Sequence, residues 1–153
     1  MTDYSFVAII VQQPIGIFYS SVIPACIVRE CCETNTRRIT DPLLESREGI
    51  QRILNKTRIN EIKSYISTAD ASFPNSIILN LKTDKIISLI EANNIESLTK
   101  DQAKTFLFNI KLESDTFSVI DGQHRLFSFD ENSCKDFYLP ITFFIDLSEE
   151  DKA

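Results

Sequence analysis

Val119-Ile120-Asp121-Gly122-Gln123-His124-Arg125-Leu126 is the stretch from which the fold is best predicted. The apolar residues before Asp121 are typical of a strand, and Gly122 then ends that strand. The apolar residues after the glycine are compatible with a short helix that begins near Gln123. The stretch therefore predicts a strand, a glycine turn and a helix in direct succession.

The residues before this stretch predict a β-hairpin. Apolar side chains at positions 106, 108, 110 and 112 alternate with period two, residues 113–115 have the composition of a turn, and the alternation resumes at Phe117. We therefore predict that strands near 106–112 and 116–120 lie together.

Further elements are predicted along the rest of the chain. They are strands over Tyr4–Val11, Ile17–Ile23, Ile77–Leu81 and Tyr138–Leu147, and helices over 25–32, 55–67 and 84–94. The second helix has an apolar face formed by Ile59, Ile62 and Ile66, and Asn55 can cap its start, so we expect it to pack against the sheet. The mixture predicts an α/β (α+β) fold with a small mixed sheet and flanking helices.

The composition is that of one globular domain. The 153 residues are 43% hydrophobic and 25% charged, which excludes disorder and low complexity. The early apolar run Phe6–Val11 is too short for a membrane span or a signal sequence, so we expect a cytoplasmic protein. Because Ser148 and the acids after it have the pattern of a helix start, we expect residues 1–153 to be a single domain from the amino-terminal part of a longer protein.

The cysteines are Cys26, Cys31, Cys32 and Cys134. Neither their number nor their spacing suggests a secreted disulfide framework, so we expect reduced thiols. The only histidine, His124, is far in sequence from the adjacent pair of cysteines, so we expect no structural metal.

Basic residues are concentrated in the segment Arg37–Lys63. Although the net charge of the chain is −6, this segment has seven basic and four acidic residues, whereas the remainder has nine and eighteen. A polyanion would therefore meet the protein through this segment. The alternative is a solvated loop and helix face without a binding role.

The glycine turn also predicts an anion site. The first N–H groups of a helix have no intrahelical acceptor and lie at its positive end, which favours phosphate. Arg125 can grip a phosphate with two donors, and His124 and Gln123 add polar groups at the same place. Asp121 is expected to hold the loop or to orient Arg125, which itself should contribute little to the stability of the fold. The alternative is that His124 is a hydrogen-bonded histidine and Arg125 a surface cation.

The stretch Val119–Leu126 is similar to the motif for which the DGQHR-domain family is named. The resemblance continues over most of residues 13–147, in the segments Gln13–Tyr19, Ile23–Ala25, Gly49–Arg52, Arg58–Ile62, Tyr65–Ile66, Phe73–Leu79 and Leu139–Ile141. That family includes proteins resembling the Dnd-type regulators of DNA phosphorothioation. The resemblance therefore implies a role in a bacterial DNA-modification or defence system.

The loop of this family is comparable to the Gly-x-x-Arg turn with which ParB-like partition proteins and sulfiredoxins bind nucleotide phosphates. The resemblance implies a ParB/sulfiredoxin-like fold and phosphate contact by Gly122, His124, Arg125, Gln51 and Arg52. Since Gly49 permits a tight backbone and the basic surplus calls for an anion, we predict that Gln51 and Arg52 lie within reach of the 121–125 loop. Where a sulfiredoxin has its reactive cysteine this chain has Gln123, which excludes that redox chemistry.

Three classes of function are compatible with the sequence. The first is a nucleotide-binding domain that takes ATP or another nucleoside triphosphate with Mg²⁺, with or without slow triphosphatase activity. Asp121 or Glu48 could orient a water molecule, but nothing in the sequence fixes either at the loop, so no catalytic residue is assigned. The second is a noncatalytic transcriptional regulator that holds DNA through the loop and the Arg37–Lys63 segment. A scaffold for partner proteins is a third alternative.

Overall fold

A computed structural model describes residues 2–33, 55–68, 71–91 and 104–146. Its strands are β1 (Thr2–Gln13), β2 (Gly16–Pro24), β3 (Ile77–Leu81), β4 (Ile86–Glu91), β5 (Thr105–Leu112), β6 (Phe117–Asp121) and β7 (Tyr138–Ile145). Its helices are α1 (Ala25–Glu30), α2 (Lys56–Ile66) and α3 (Gln123–Leu126), with a 3₁₀ turn at Thr83–Lys85. None of the helices in these residues is long and apolar enough to cross a membrane.

The seven strands form one mixed sheet in the order β4-β5-β1-β2-β7-β3-β6. Strands β3 and β7 run parallel, and every other neighbouring pair is antiparallel. The predicted α/β class with a small mixed sheet is therefore confirmed.

The predicted hairpin of residues 106–112 and 116–120 is wrong in its pairing. Both strands exist, but β5 pairs with β1 and β4, whereas β6 pairs with β3 at the other side of the sheet. Alternation shows which face of a strand is buried and does not reveal its partner. Here β5 gains a continuous ladder with β1, from Thr105 opposite Ile9 to Leu112 opposite Thr2.

This strand order requires the sheet to curl. Strands β5 and β6 are five strand spacings apart, about 24 Å in a flat sheet. The chain from Leu112 to Phe117 has only five Cα steps, which reach at most about 19 Å. The link from Leu81 to Ile86 must bridge the same number of spacings in the opposite direction. Both links are therefore short enough only if the two sides of the sheet approach each other.

The two links carry opposite charges that meet. Lys85 Nζ lies 2.5 Å from Glu113 Oε2 and 3.1 Å from Asp115 Oδ1, and Lys82 Nζ lies 3.4 Å from Asp115 Oδ2. We call these four residues the charge seam. Because each lysine has a carboxylate partner, the seam neutralises its own charge.

The core fills the inside of the curled sheet. Phe6, Tyr19, Phe108 and Phe143 are buried there and contact one another, with ring centroids 5.0–5.6 Å apart. Rings at this spacing add specific edge and stacking contacts to the burial of apolar area. This aromatic packing comes from four strands, β1, β2, β5 and β7, and holds the sheet in its curled form.

Two predicted helices differ from the structure. The predicted helix over 84–94 is wrong, because residues 86–91 form β4, and residues 92–94 lie outside the described part. The β-branched run there pairs with the second edge of β5, so tertiary pairing overrides a spacing that also suited a helix. The helix predicted over 25–32 is α1 and ends at Glu30, with Cys32 instead bridging Phe117.

Helix α2 follows the prediction at its start and on its apolar face. The Asn55 side chain accepts hydrogen bonds from the backbone N–H groups of Thr57 and Arg58, which confirms the cap. Ile66 is buried, and Ile59 and Ile62 are partly buried. The most extensive contact of α2 with another element is with α3 rather than with the sheet, so the helix lies beside the glycine turn.

The expectation of four reduced cysteines is also wrong. Cys26 and Cys134 form a disulfide, whereas Cys31 and Cys32 are free and buried. The two bonded residues are 108 positions apart in sequence, and only the packing of α1 beside the segment after α3 brings their Cα atoms to 5.1 Å.

Candidate anion site at the glycine turn

Gly122 links β6 to α3 in a left-handed backbone conformation that is energetically unfavourable for other residues. Its φ is 98° and its ψ is 16°, and its carbonyl accepts the first helical hydrogen bond, from the N–H of Leu126 at 3.0 Å. A Cβ atom on this residue would lie 2.9 Å from Arg125 Nη2 and 3.1 Å from Ile77 Cγ1. Glycine is therefore required both for the left-handed backbone and for the close approach of the arginine.

Arg125 is fixed above the glycine by two main-chain carbonyls. Its Nη1 donates to the carbonyl of Asn75 at 2.7 Å and its Nη2 to the carbonyl of Ser76 at 3.1 Å. No carboxylate pairs with it among the described residues, so its positive charge is held in place without being neutralised there. Arg125 therefore joins α3 to the start of β3, a contact that the expectation of a small contribution to stability did not include.

His124 joins the turn to helix α2. Its Nε2 accepts a hydrogen bond from the backbone N–H of Asn55 at 3.1 Å. A ring nitrogen that accepts must be unprotonated, so this contact requires the neutral imidazole with its proton on Nδ1. The His124 carbonyl in turn accepts from the hydroxyl of Ser128. His124 therefore connects α3 to the residue that caps the start of α2.

Asp121 and Gln123 flank the turn. Asp121 ends β6, is exposed, and pairs with Ile78 of β3, and Gln123 begins α3 and is partly buried. Arg125 is held by carbonyls and not by the Asp121 carboxylate, so the role of orienting the arginine belongs to the chain at 75–76. Five predicted residues, Asp121 to Arg125, are thus together at one end of the sheet.

The other predicted site residues are described only in part. Gln51, Arg52 and Glu48 lie outside the described residues, as do the arginines at 37, 38 and 47. Within α2, Lys56, Arg58 and Lys63 are exposed. The first turn of this helix has no acidic residue, although the positive end of a helix favours acids. Two cations at that position increase the positive potential beside the glycine turn.

Sequence reasoning missed three main-chain contributors to this site. Asn55 was predicted as a cap, but not as the residue whose backbone contacts His124. The carbonyls of Asn75 and Ser76 were not predicted at all. Main-chain acceptors are present at every position, so no side-chain pattern could have marked these two.

The geometry defines a class of protein: an α/β domain in which a strand, a glycine turn and a short helix hold an arginine without an acidic partner among the described residues. The chain matches the family model DndB, described as DNA-sulfur modification-associated, over residues 6–152. It therefore belongs to the DndB family. No curated protein and no solved structure matches it. The Dnd-type part of the resemblance is confirmed, whereas the DGQHR-domain and ParB-like parts stay predictions.

Proposed function

We propose that this DndB-family domain serves DNA sulfur modification by binding phosphate groups at the 121–125 turn. The observation that carries the proposal is the Arg125 guanidinium, which is positioned by two neutral carbonyls and retains its charge. An oriented arginine still has further N–H donors directed away from its two acceptors. A phosphate oxygen is the acceptor that such a group takes most strongly.

The first ligand class is a nucleotide. The Arg125 guanidinium lies close above Gly122, and a guanidinium with two parallel donors suits a terminal phosphate. Gln51 and Arg52 remain part of this proposal, supported by chain connectivity, since Arg52 is three residues before Asn55, whose backbone contacts His124. Hydrolysis is a further option, with Asp121 as the carboxylate at the turn that would orient water.

A divalent ion would enter only together with the nucleotide. Mg²⁺ is usually held by one or two carboxylates plus phosphate oxygens, so Asp121 alone fits that pattern. Among the described residues no group of three or more histidine, cysteine or acidic side chains could hold a metal. When bound, the ion would supply charge neutralisation at the phosphates, and the residues of this chain would provide Asp121 as one ligand.

The second ligand class is the DNA backbone in a regulator without catalysis. The exposed Lys56 and Arg58 in the first turn of α2 favour it, because they extend the positive surface from the glycine turn along a helix. A DNA backbone that contacts several cationic side chains releases several counterions on binding, so its affinity for the protein decreases steeply as the salt concentration rises.

One experiment tests the proposal and separates its two classes. The melting temperature is measured with a panel of nucleotides with and without Mg²⁺, and binding of a DNA duplex is titrated at several NaCl concentrations. A nucleotide that raises the melting temperature, with little dependence on salt, supports the first class. Duplex affinity that falls steeply with salt, and is weakened in Lys56→Ala and Arg58→Ala, supports the second.

The matched control is Lys111→Ala, which removes an exposed cation from β5. It should change neither nucleotide nor duplex binding. If the parent protein binds neither ligand class at low salt, the phosphate-binding proposal is wrong and a scaffold role takes its place.

A further inference from the structure

The disulfide joins two parts of the molecule next to the glycine turn. Cys26 is the second residue of α1, and Cys134 lies in the segment 130–136 between α3 and β7. The backbone N–H of Ala25 also donates to the carbonyl of Phe137 at 2.8 Å. Helix α1 is therefore attached to the chain that follows α3 by one covalent bond and one hydrogen bond.

The segment 130–136 has little else to hold it. Asp130 closes its first turn by accepting from the N–H groups of Asn132 and Ser133 at 3.0 and 2.8 Å, which are local contacts. Most of its side chains are exposed, and Cys134 is the buried one, at 4% exposure. The described contacts that attach it to the core are the disulfide, the aromatic packing of Phe129 and Phe137 at its two ends, and the hydrogen bond from Ala25 to Phe137.

A DNA-modification protein works where the DNA is, and the compartments that contain DNA also contain thiol reductants. Disulfides in such compartments are usually transient or redox-sensing. We propose that Cys26 and Cys134 form a reversible redox lock that fixes the segment 130–136 to α1 in the oxidised protein and releases it on reduction. The chemistry needs a dithiol as reductant and a small disulfide as oxidant.

Reduction proceeds by two successive thiol–disulfide exchanges. A thiolate of the dithiol attacks a sulfur of the bond, preferentially that of Cys26, which is the more exposed residue, and Cys134 leaves as a thiolate. The second thiol of the reductant then displaces Cys26 and forms its own disulfide. Two protons and two electrons pass to the protein. A small disulfide such as oxidised glutathione reverses the sequence and is reduced to two thiols.

The other two cysteines do not compete in this exchange. Cys31 and Cys32 are buried at 6% and 4% exposure. Burial, with Glu30 nearby, raises the pKa of the Cys31 thiol to about 11, and burial beside Cys31 raises the pKa of Cys32 further. Both remain protonated thiols at neutral pH and are poor nucleophiles. Exchange is thereby confined to one pair.

The test counts alkylated thiols and measures melting temperature before and after dithiothreitol. Before reduction, native iodoacetamide should label neither Cys26 nor Cys134, and after reduction it should label both. Opening a link of this span should lower the melting temperature by roughly 5–15 °C, and oxidised glutathione should restore it. The Cys26→Ser and Cys134→Ser variants should have the melting temperature of the reduced parent, and dithiothreitol should not change it. The melting temperature of Cys31→Ala should still decrease on reduction.

Labelling of Cys26 and Cys134 after incubation with oxidised glutathione would overturn the proposal, as would a melting temperature that does not respond to reduction. Phosphate binding is measured in both states, because a freer segment after α3 should weaken it severalfold. That coupling rests on the phosphate-binding proposal, whereas the lock itself rests on the disulfide and on membership of a DNA-sulfur modification-associated family. If no phosphate ligand binds in either state while labelling and melting respond, the lock stands and the proposed function fails.

Discussion

The glycine turn and the charge seam both hold cations at the ends of strands, but only the seam neutralises their charge. In the seam, Lys85 is 8% exposed and has carboxylate partners at 2.5 and 3.1 Å. These partners neutralise its charge. At the turn, Arg125 has carbonyl partners that orient it without cancelling its charge. The partner of a cation, more than its burial, therefore decides whether the cation remains able to attract an anion.

The largest expected effect is that of Gly122→Ala. A Cβ there must occupy a left-handed backbone and displace the Arg125 guanidinium, so we expect a loss of roughly 3 kcal/mol in the free energy of unfolding. Gly16→Ala is the matched control, because Gly16 also has a positive φ, 135°, but no atom lies within 4 Å of the position that a Cβ would take. It should lose only about 1–2 kcal/mol from backbone strain. Equal losses in urea unfolding would show that the arginine does not depend on the glycine.

Arg125→Ala should affect both stability and binding. Losing the donors to Asn75 and Ser76 should lower the free energy of unfolding by about 1–3 kcal/mol, and phosphate binding should be lost with the charge. Arg125→Lys keeps the charge but cannot reach both carbonyls in the same geometry, so it should retain part of the binding. Lys85→Met is the corresponding change in the charge seam. It should lower the melting temperature and leave the affinity for phosphate ligands unchanged.

Asn55→Ala should have a smaller effect and act on α2 alone. Loss of the cap typically costs about 1 kcal/mol. The backbone N–H that Asn55 donates to His124 is retained in this variant, so the glycine turn should keep its geometry and its phosphate affinity. A fall in affinity larger than the fall in stability would mean that the Asn55 side chain contacts the ligand directly.

The smallest effect is the acid response of the seam. A hydrogen bond from Lys85, with a further one from Lys82, lowers the pKa of Asp115, and hydrogen bonds from Thr83 lower the pKa of Asp146. A carboxyl whose pKa is lower in the folded state stabilises above its unfolded pKa, near 4, and loses that contribution as pH falls through the folded value. Stability should therefore decrease below about pH 4.

The seam is partly solvated, since the Glu113 and Asp115 side chains are 40% and 44% exposed, so the acid response should be modest. Urea midpoints at pH 7, 4 and 3 measure it. Lys85→Met should flatten the decrease, because Asp115 then loses its main partner. An unchanged slope in that variant would assign the acid response to Asp146 and Asp130, whose pKa values are also lowered, and not to the seam.

The site could be predicted from sequence to the extent that it depends on neighbours in the chain. The sequence predicts residues 121–125 as a strand end, a glycine turn and the start of a helix, and the structure has them in these elements. What no local pattern could give is the position of Asn75 and Ser76, which approach from about fifty residues away and contribute only carbonyls. The role of Arg125 as both a tie and a charge depends on that approach.

The sequence by itself determined most strands, the cap at Asn55, the glycine turn and membership of a DNA-sulfur modification family, because alternation, caps and turn residues are local signals. The tertiary structure decided which strands pair, that residues 86–91 form a strand, and that Cys26 meets Cys134. Those outcomes depend on contacts between distant segments in a curled sheet. The physical reason is that the residues of a strand determine which of its faces is buried. Which strand it pairs with depends instead on all the other strand edges that are free to pair when the sheet forms.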